Sequence, residues 1–394
     1  ALSTPLGEAA GSREAVLAGV MTRLDALEPA VRKETGRQLV QLAFDASLFD
    51  VCRRVTEELL DELEGSTADL PLRAEMMTML LAQNVIPDDA AAVRRRGEAL
   101  IEELRETGML ATPEGLRLVA VFSHMLKERF SDQGRLAADA LLAPFLAEPD
   151  DWLAVDPETV GTLFVNAVAN RVGRNDAEPG LAIAERLRAL PGFEEWCSDE
   201  DYARLLILTA DAYDRIGQPE KTIAVLEGGL ASERTFPRGR RNTFVTELAD
   251  VLERMGRLDD ALERLLSNAT TEMPSRVIDA SWMFQTSLQT GRVLLKLDRV
   301  DAAVPELTRA VAIFEAWPDA LVADAAVFAY VWLAEGQAAA GDTAAAVAAF
   351  KTAAANLRDH CANGRLPESM GKAVGGRIQE RIDELLAEEA AANA

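Results

Sequence analysis

The sequence predicts an all-α protein assembled from successive antiparallel helix pairs. Apolar residues recur every three or four positions along nearly the whole chain, and convincing alternating strand patterns are absent. Turn residues interrupt this pattern roughly every 15–25 residues, which is the length of an ordinary helix. Helices of that length joined by short turns pack as antiparallel neighbours.

The composition indicates a folded and strongly acidic protein. The chain has 394 residues, and its 65 acidic residues outnumber its 41 basic ones, for a net charge of −24. Because phosphate contacts need clustered Lys and Arg, this balance argues against a nucleic-acid partner and against an anionic membrane surface. Hydrophobic residues make up 49%, which is ample for a core.

The small number and wide spacing of the cysteines indicate a reducing compartment. Cys52, Cys197 and Cys361 are too far apart to indicate a disulfide framework or a zinc site. No charged-then-apolar leader and no long apolar span is evident, so we expect a cytoplasmic protein. Only six of the 41 basic residues are lysine, a bias typical of GC-rich bacterial genomes.

Four segments in the C-terminal half repeat one pattern. They run over 209–230, 248–269, 290–311 and 333–354. Each has a small residue near its start, a turn residue seven positions later, a second small residue five later and a bulky one four after that. The turn residues are Gly217, Gly256, Asp298 and Gly341. The second small residues are Thr222, Ala261, Ala303 and Ala346, and the bulky ones are Leu226, Leu265, Leu307 and Phe350.

This pattern resembles the tetratricopeptide repeat (TPR) family in a long-period form. The turns lie 39, 42 and 43 residues apart, whereas the commonest TPR period is about 34. Small residues let paired helices approach closely, and bulky ones fill the grooves between them. The resemblance implies a right-handed superhelical α-solenoid of about eight to nine pairs.

We expect one continuous solenoid in three parts. Residues 1–198 would form divergent pairs, near 36–64, 70–107, 113–148 and 157–191, after a capping helix at 11–30. Residues 199–365 would form the four recognisable repeats. Residues 366–394 would form a closing amphipathic helix, because exposed solenoid ends need caps.

No catalytic or metal-binding motif is recognisable. The chain has two histidines and no nucleophile elbow, phosphate loop, dinucleotide fingerprint or paired soft ligands. We therefore predict a protein that is not an enzyme and needs no cofactor or metal.

Two basic islands and an aromatic group leave alternatives open. Residues 94–96 and 238–241 carry clustered arginines that either dock an acidic peptide or phosphate, or are ordinary solvated positions. The aromatics Trp282, Phe284, Phe328, Tyr330 and Trp332 fit either a ligand cage or a helical core.

The resemblance also implies which residues line a groove, because the first helix of each TPR pair faces the concave side. Carried over position by position, the candidate partner-binding residues are Arg204, Asp211, Asp214, Asp250, Arg254, Gln285, Arg292, Lys296, Phe328 and Glu335. The positions where some TPR proteins clamp a terminal carboxylate hold no Lys or Asn here. Acid in the first two repeats, Arg292 with Lys296 in the third and apolar residues in the fourth suit a peptide of mixed character.

The predicted function is a non-enzymatic scaffold that binds a protein or peptide in this groove. The alternative is a module of a bacterial regulator that senses a ligand or signalling peptide. Self-association is left open, and neither the partner nor the pathway follows from the sequence.

Overall fold

The computed structural model confirms the all-α prediction. It describes residues 19, 22–24, 26–45, 49–82, 90–129, 131–270, 272–275, 277–318, 323–363 and 366–392. Within these ranges every regular element is helical and no strand occurs. Contacts divide the chain into two compact units, Ala1–Asp201 and Tyr202–Ala394.

The described residues of the first unit form four helix pairs with a continuous core. Its helices are α1 (Pro29–Asp45), α2 (Phe49–Glu62), α3 (Leu70–Ala82), α4 (Ala90–Glu106), α5 (Pro113–Arg129), α6 (Ser131–Ala147), α7 (Pro149–Leu153), α8 (Pro157–Gly173), α9 (Ala177–Arg188) and α10 (Phe193–Trp196). Phe122 and Phe145 are 1% exposed at the centre of this core. The cap expected at 11–30 lies mostly outside the described residues.

The described part of the second unit forms four further pairs and a final helix. Its helices are α11 (Asp199–Arg215), which begins just before the division, α12 (Pro219–Ala231), α13 (Arg238–Arg254), α14 (Leu258–Asn268), α15 (Val277–Lys296), α16 (Val300–Ala316), α17 (Ala323–Ala339), α18 (Thr343–Ala362) and α19 (Glu368–Ala392). The described residues thus hold eight pairs, within the eight to nine that the pattern predicts.

The turns inside these four pairs share one geometry. Gly217, Gly256 and Gly341 have φ of 72°, 78° and 79°, and Asp298 has φ of 58°. After each of them, the next residue donates its N–H to a carbonyl five residues back, at 2.8–2.9 Å. This is the Schellman arrangement, in which a left-handed residue ends a helix and satisfies its last carbonyl groups.

The predicted small and bulky residues lie where the paired helices meet. Ala261, Ala303 and Ala346 are fully buried, and Leu265 and Leu307 are fully buried beside them. The approach is close enough that a methyl group on Gly291 would come within 2.5 Å of Leu307 Cγ. The second unit therefore has the TPR-like construction that its repeats predict.

Candidate functional site: a charged ladder on the second unit

Charged residues gather near the C-terminal ends of three first helices, α11, α13 and α15. The spacing of three or four residues places them on one face of each helix. We call this surface the ladder face. It consists of Asp211, Asp214, Arg215, Glu247, Asp250, Glu253, Arg254, Arg292 and Lys296.

Arg254 links the first two of these helices. Its two terminal nitrogens donate to the two carboxylate oxygens of Asp214, each at 3.0 Å, and its Nε donates to Asp250 at 3.1 Å. Such a forked pairing matches the planar guanidinium to a carboxylate. The two carboxylates raise the pKa of Arg254 above its ordinary value, with the hydrogen bond to Asp214 as the main cause.

Glu253 holds both cations of the third helix. Arg292 donates to it through Nη2 at 2.6 Å and Nε at 3.1 Å, and Lys296 Nζ lies 2.6 Å from its other oxygen. Arg292 also donates to Asp250 at 3.0 Å. The Glu253 side chain is only 4% exposed, so the acid that joins the two cations is buried beneath them.

These contacts form an unbroken series of alternating charges. It runs through Asp214, Arg254, Asp250, Arg292, Glu253 and Lys296. Because every pair in this series except Asp250–Arg254 joins the first helices of two successive repeats, the ladder fixes the register between them. Arg254 and Lys296 are about half exposed and keep N–H groups that a bound molecule could use.

Glu247 lies on the ladder face but takes no part in the series of ion pairs. It forms no ion pair with any described residue, and its nearest acidic neighbours on α11 and α13 are Asp211, Asp214 and Asp250. Partial shielding from water raises the pKa of Glu247, and repulsion from those acids raises it further. The side chain is nevertheless exposed.

The remaining candidate residues lie beside the ladder or away from it. Asp211 pairs with Arg215 at 2.8 Å on the same helix, and Glu335 pairs with Arg381 of α19 at 3.4 Å. Arg204 is half-buried on α11, while Gln285 and Phe328 are exposed on α15 and α17. No hydrogen bond, ion pair or ring contact between described residues joins Gln285 or Phe328 to the ladder.

For Trp282 and Phe284, the structure decides between the ligand cage and the helical core that the sequence left open. Trp282 and Phe284 are 6% and 2% exposed and belong to the core between α15, α16 and α17, so they form no cage. Arg238 lies over the Trp282 ring, with its Cζ atom 4.5 Å from the ring centroid. One arginine of the second basic island, residues 238–241, therefore makes a cation–π contact.

The chemistry of the ladder face is binding by charge and hydrogen bonds. Its cations are matched to acids, and Glu247 offers a carboxylate without a partner. Among the described residues, no group of three His, Cys, Asp or Glu side chains is placed to hold a metal ion.

Comparison with solved structures gives similarity over most of the chain at low identity. The Rap protein complexed with competence and sporulation factor is 12% identical with a TM-score of 0.46, and the match covers 92% of this chain and 99% of that one. The apo quorum sensor NprR from B. thuringiensis is 13% identical with a TM-score of 0.46, covering 90% and 98%. The human IFIT1 dimer with m7Gppp-AAAA is 13% identical with a TM-score of 0.43, covering 96% and 82%.

At these identities and TM-scores the similarity carries no argument about a ligand or partner. No family model and no curated protein matches the sequence. No described helix combines the length and the apolar character that a membrane span requires. The assignment of a function therefore depends on the geometry of the chain itself.

Proposed function

We propose that the protein is a non-enzymatic scaffold and that the ladder face of its second unit binds a peptide segment of a protein partner. The observation that supports this proposal is the series of charged groups across the first helices of three successive pairs, with the exposed Glu247 unpaired among acidic neighbours. An extended peptide presents its side chains at regular intervals, which suits a surface with such spaced groups. The three free cysteines support a reducing, cytoplasmic setting in a bacterium.

The expected peptide carries a cation opposite Glu247 and an acid near Lys296. A lysine or arginine of the partner would relieve the repulsion between Glu247 and its acidic neighbours. An acid of the partner would reach Lys296, whose side chain is 46% exposed although its ammonium group pairs with Glu253. Complementary charges of this kind set the orientation of a bound peptide.

Selection from a displayed random-peptide library, followed by affinity measurement, tests the proposal. Glu247→Lys reverses the charge at the centre of the face and costs the fold little, because Asp211, Asp214 and Asp250 surround the site. Glu263→Lys on α14 is the matched control, since Glu263 is exposed and lies on a second helix.

We expect selected peptides to be basic opposite the Glu247 position and to lose at least about tenfold in affinity, or about 1.4 kcal/mol, with Glu247→Lys. Glu263→Lys should bind like the parent. Equal affinity for both variants, or failure to select any peptide, would contradict the proposal.

A further inference from the structure

The first helices α13, α15 and α17 keep the same two positions in contact with solvent. These positions lie thirteen and nine residues before the turn residue of each pair, and one helical turn apart on one face. The residues there are Thr243 and Glu247, Gln285 and Gln289, and Phe328 and Trp332. All six are exposed or half-buried, whereas the two residues directly after the second position are buried on all three helices.

Contacts between the repeats place these three faces next to one another. Arg292 of α15 pairs with Asp250 of α13 at 3.0 Å, and Asp250 lies one turn after Glu247. A Cβ on Gly336 of α17 would lie 3.8 Å from Leu295 Cδ1 of α15. The six residues therefore form a strip that crosses three helices beside the ladder.

The chemistry of this strip changes from acidic on α13 to apolar on α17. Phe328 is 37% exposed, so its ring offers open apolar surface. Between positions 325 and 339 the only charged residue of α17 is Glu335, which pairs with Arg381 of α19 at 3.4 Å. Tyr330 is taken up elsewhere, because its hydroxyl donates to Glu315 of α16 at 2.6 Å.

From this gradient we infer that the peptide bound by the ladder face rests one apolar side chain, aromatic or branched, on Phe328. The inference rests on the proposed function, because it concerns the same peptide. An extended segment with its cation opposite Glu247 crosses α15 next and then reaches α17. On α15 the exposed Gln285 amide, which forms no hydrogen bond with a described residue, can pair with the peptide backbone. At Phe328 a charged side chain would gain little, since Glu335 already has a partner.

The helix spacing sets the distance between the two peptide side chains. Packed helices lie about 8–10 Å apart, so two spacings from α13 to α17 amount to about 16–20 Å. An extended chain rises roughly 3.3 Å per residue, which converts this distance to about five or six residues. The apolar side chain should therefore follow or precede the cation by about that number of positions.

Selection of displayed random dodecapeptides on the full chain tests this spacing. We expect enriched peptides to carry Lys or Arg and, about five or six positions away, Phe, Tyr, Trp, Leu or Ile. Fluorescence anisotropy with the most enriched peptide then gives affinities for the parent and for the variants.

Substitutions at Phe328 locate the apolar contact. Phe328→Ser should weaken binding at least about tenfold, and Phe328→Leu, which keeps apolar surface, should bind within about threefold of the parent. Leu266→Ser is the matched control, because Leu266 is 54% exposed but lies on the second helix α14. It should bind like the parent, and circular dichroism should show equal helicity in all variants.

The complementary change in the peptide replaces its apolar residue with serine. This change should weaken binding to the parent at least about tenfold but have little further effect on the Phe328→Ser variant. Such non-additivity is the signature of two side chains in contact.

The outcomes separate the failure of this inference from that of the proposed function. If Glu247→Lys weakens binding and Phe328→Ser does not, this inference is wrong and the proposed function stands. If no peptide is selected, or Glu247→Lys binds like the parent, both are wrong. Equal losses with Phe328→Ser and Leu266→Ser, or with Phe328→Ser and Phe328→Leu, would also overturn the inference.

Discussion

At the scale of single residues, Glu253 is the buried acid of the ladder that pairs with both cations of α15. Its carboxylate is buried and contacts both Arg292 and Lys296 at 2.6 Å. Without that charge, the two cations would face each other one helical turn apart. Removing one partner of a buried pair is costly because the other partner stays desolvated.

We expect Glu253→Gln to lower the free energy of unfolding by about 1–3 kcal/mol. Removing one partner of a fully buried ion pair costs about 3–5 kcal/mol. The cost is smaller here because Arg292 and Lys296 are partly solvated. Urea unfolding monitored by circular dichroism measures this change. Glu263→Gln on the exposed side of α14 is the control and should change it by less than about 0.5 kcal/mol. Equal effects of the two substitutions would mean that the ladder does not stabilise the fold.

The raised pKa of Glu247 predicts that the stability of the fold falls as the pH rises. Its pKa is raised in the folded chain, so the folded state holds this proton to a higher pH than the unfolded state does. Stability therefore falls as the pH rises from the unfolded glutamate pKa, about 4.3, through the raised folded value. Deleting the charge should stabilise the protein at neutral pH.

We expect Glu247→Gln to melt at a higher temperature than the parent at pH 7, and the difference to shrink as the pH approaches about 4. Thermal unfolding at a series of pH values measures it. A difference that is constant with pH would exclude the ionisation of Glu247 as its cause.

The sequence predicts part of the site and misses its centre. The acids Asp214 and Asp250 and the cations Arg254, Arg292 and Lys296 follow from the repeat register. Glu247 does not, because the repeat register does not assign it to the groove, and its neighbour Thr246 is only 3% exposed. One residue along a helix is a rotation of about 100°, and only the packing of α13 against its neighbours decides which side chain is free.

At the scale of helices, the turns are the most predictable feature. Glycine can adopt the left-handed conformation without a steric penalty, so Gly217, Gly256 and Gly341 indicate where helices end. The turn between α8 and α9 has the same geometry, with Asn175 at φ 67° and a 2.9 Å bond from Asp176 to Arg171. The left-handed residue of this turn is Asn175 and not a glycine. The repeat pattern of the first unit is therefore harder to recognise in the sequence.

Two adjacent glycines of α12 should respond in opposite directions to substitution by alanine. A Cβ on Gly228 would meet nothing within 4 Å, whereas one on Gly229 would lie 2.8 Å from the buried ring of Phe244. Alanine favours a helix over glycine by about 1 kcal/mol, and overpacking costs about 1–3 kcal/mol. We expect Gly228→Ala to raise the melting temperature and Gly229→Ala to lower it.

Differential scanning calorimetry on the two alanine variants and the parent separates these effects. If both substitutions stabilise the protein, then α12 and α13 are packed more loosely than this structure shows.

A further test at this scale concerns the small residues where the paired helices meet. Ala261 and Ala303 are fully buried, and we expect Ala303→Trp to lower the melting temperature by far more than Thr308→Trp, which is an exposed position on the same helix. Equal melting of the two variants would show that the register of the repeats is wrong.

At the scale of the whole molecule, each unit has a core of its own residues. One cluster of the second unit draws only on positions from Ala203 to Ala303, and a cluster of the first unit draws on positions from Leu24 to Ala167. Chains with separate cores can fold as separate units. The fold class follows from periodicity, but this division does not, because the helical pattern continues across it.

We expect residues 199–394, which keep α11 whole, to give a helical fragment with a cooperative thermal transition. Circular dichroism at increasing temperature measures both properties, and size-exclusion chromatography checks for aggregation. A fragment without a cooperative transition would show that the second unit needs residues of the first to fold.

The rungs of the ladder give the second unit a particular response to force. Asp214 and Arg254 are 40 residues apart, and Asp250 and Arg292 are 42 apart. Outside the ladder, Asp259 and Arg299 also pair across 40 residues. A contact that spans one repeat breaks only when that repeat opens. Stretched from its ends, this part of the chain should lengthen in near-equal steps, each about 140 Å of extended polypeptide at roughly 3.4 Å per residue. The sequence period would then appear directly as a mechanical step in a single-molecule pulling trace.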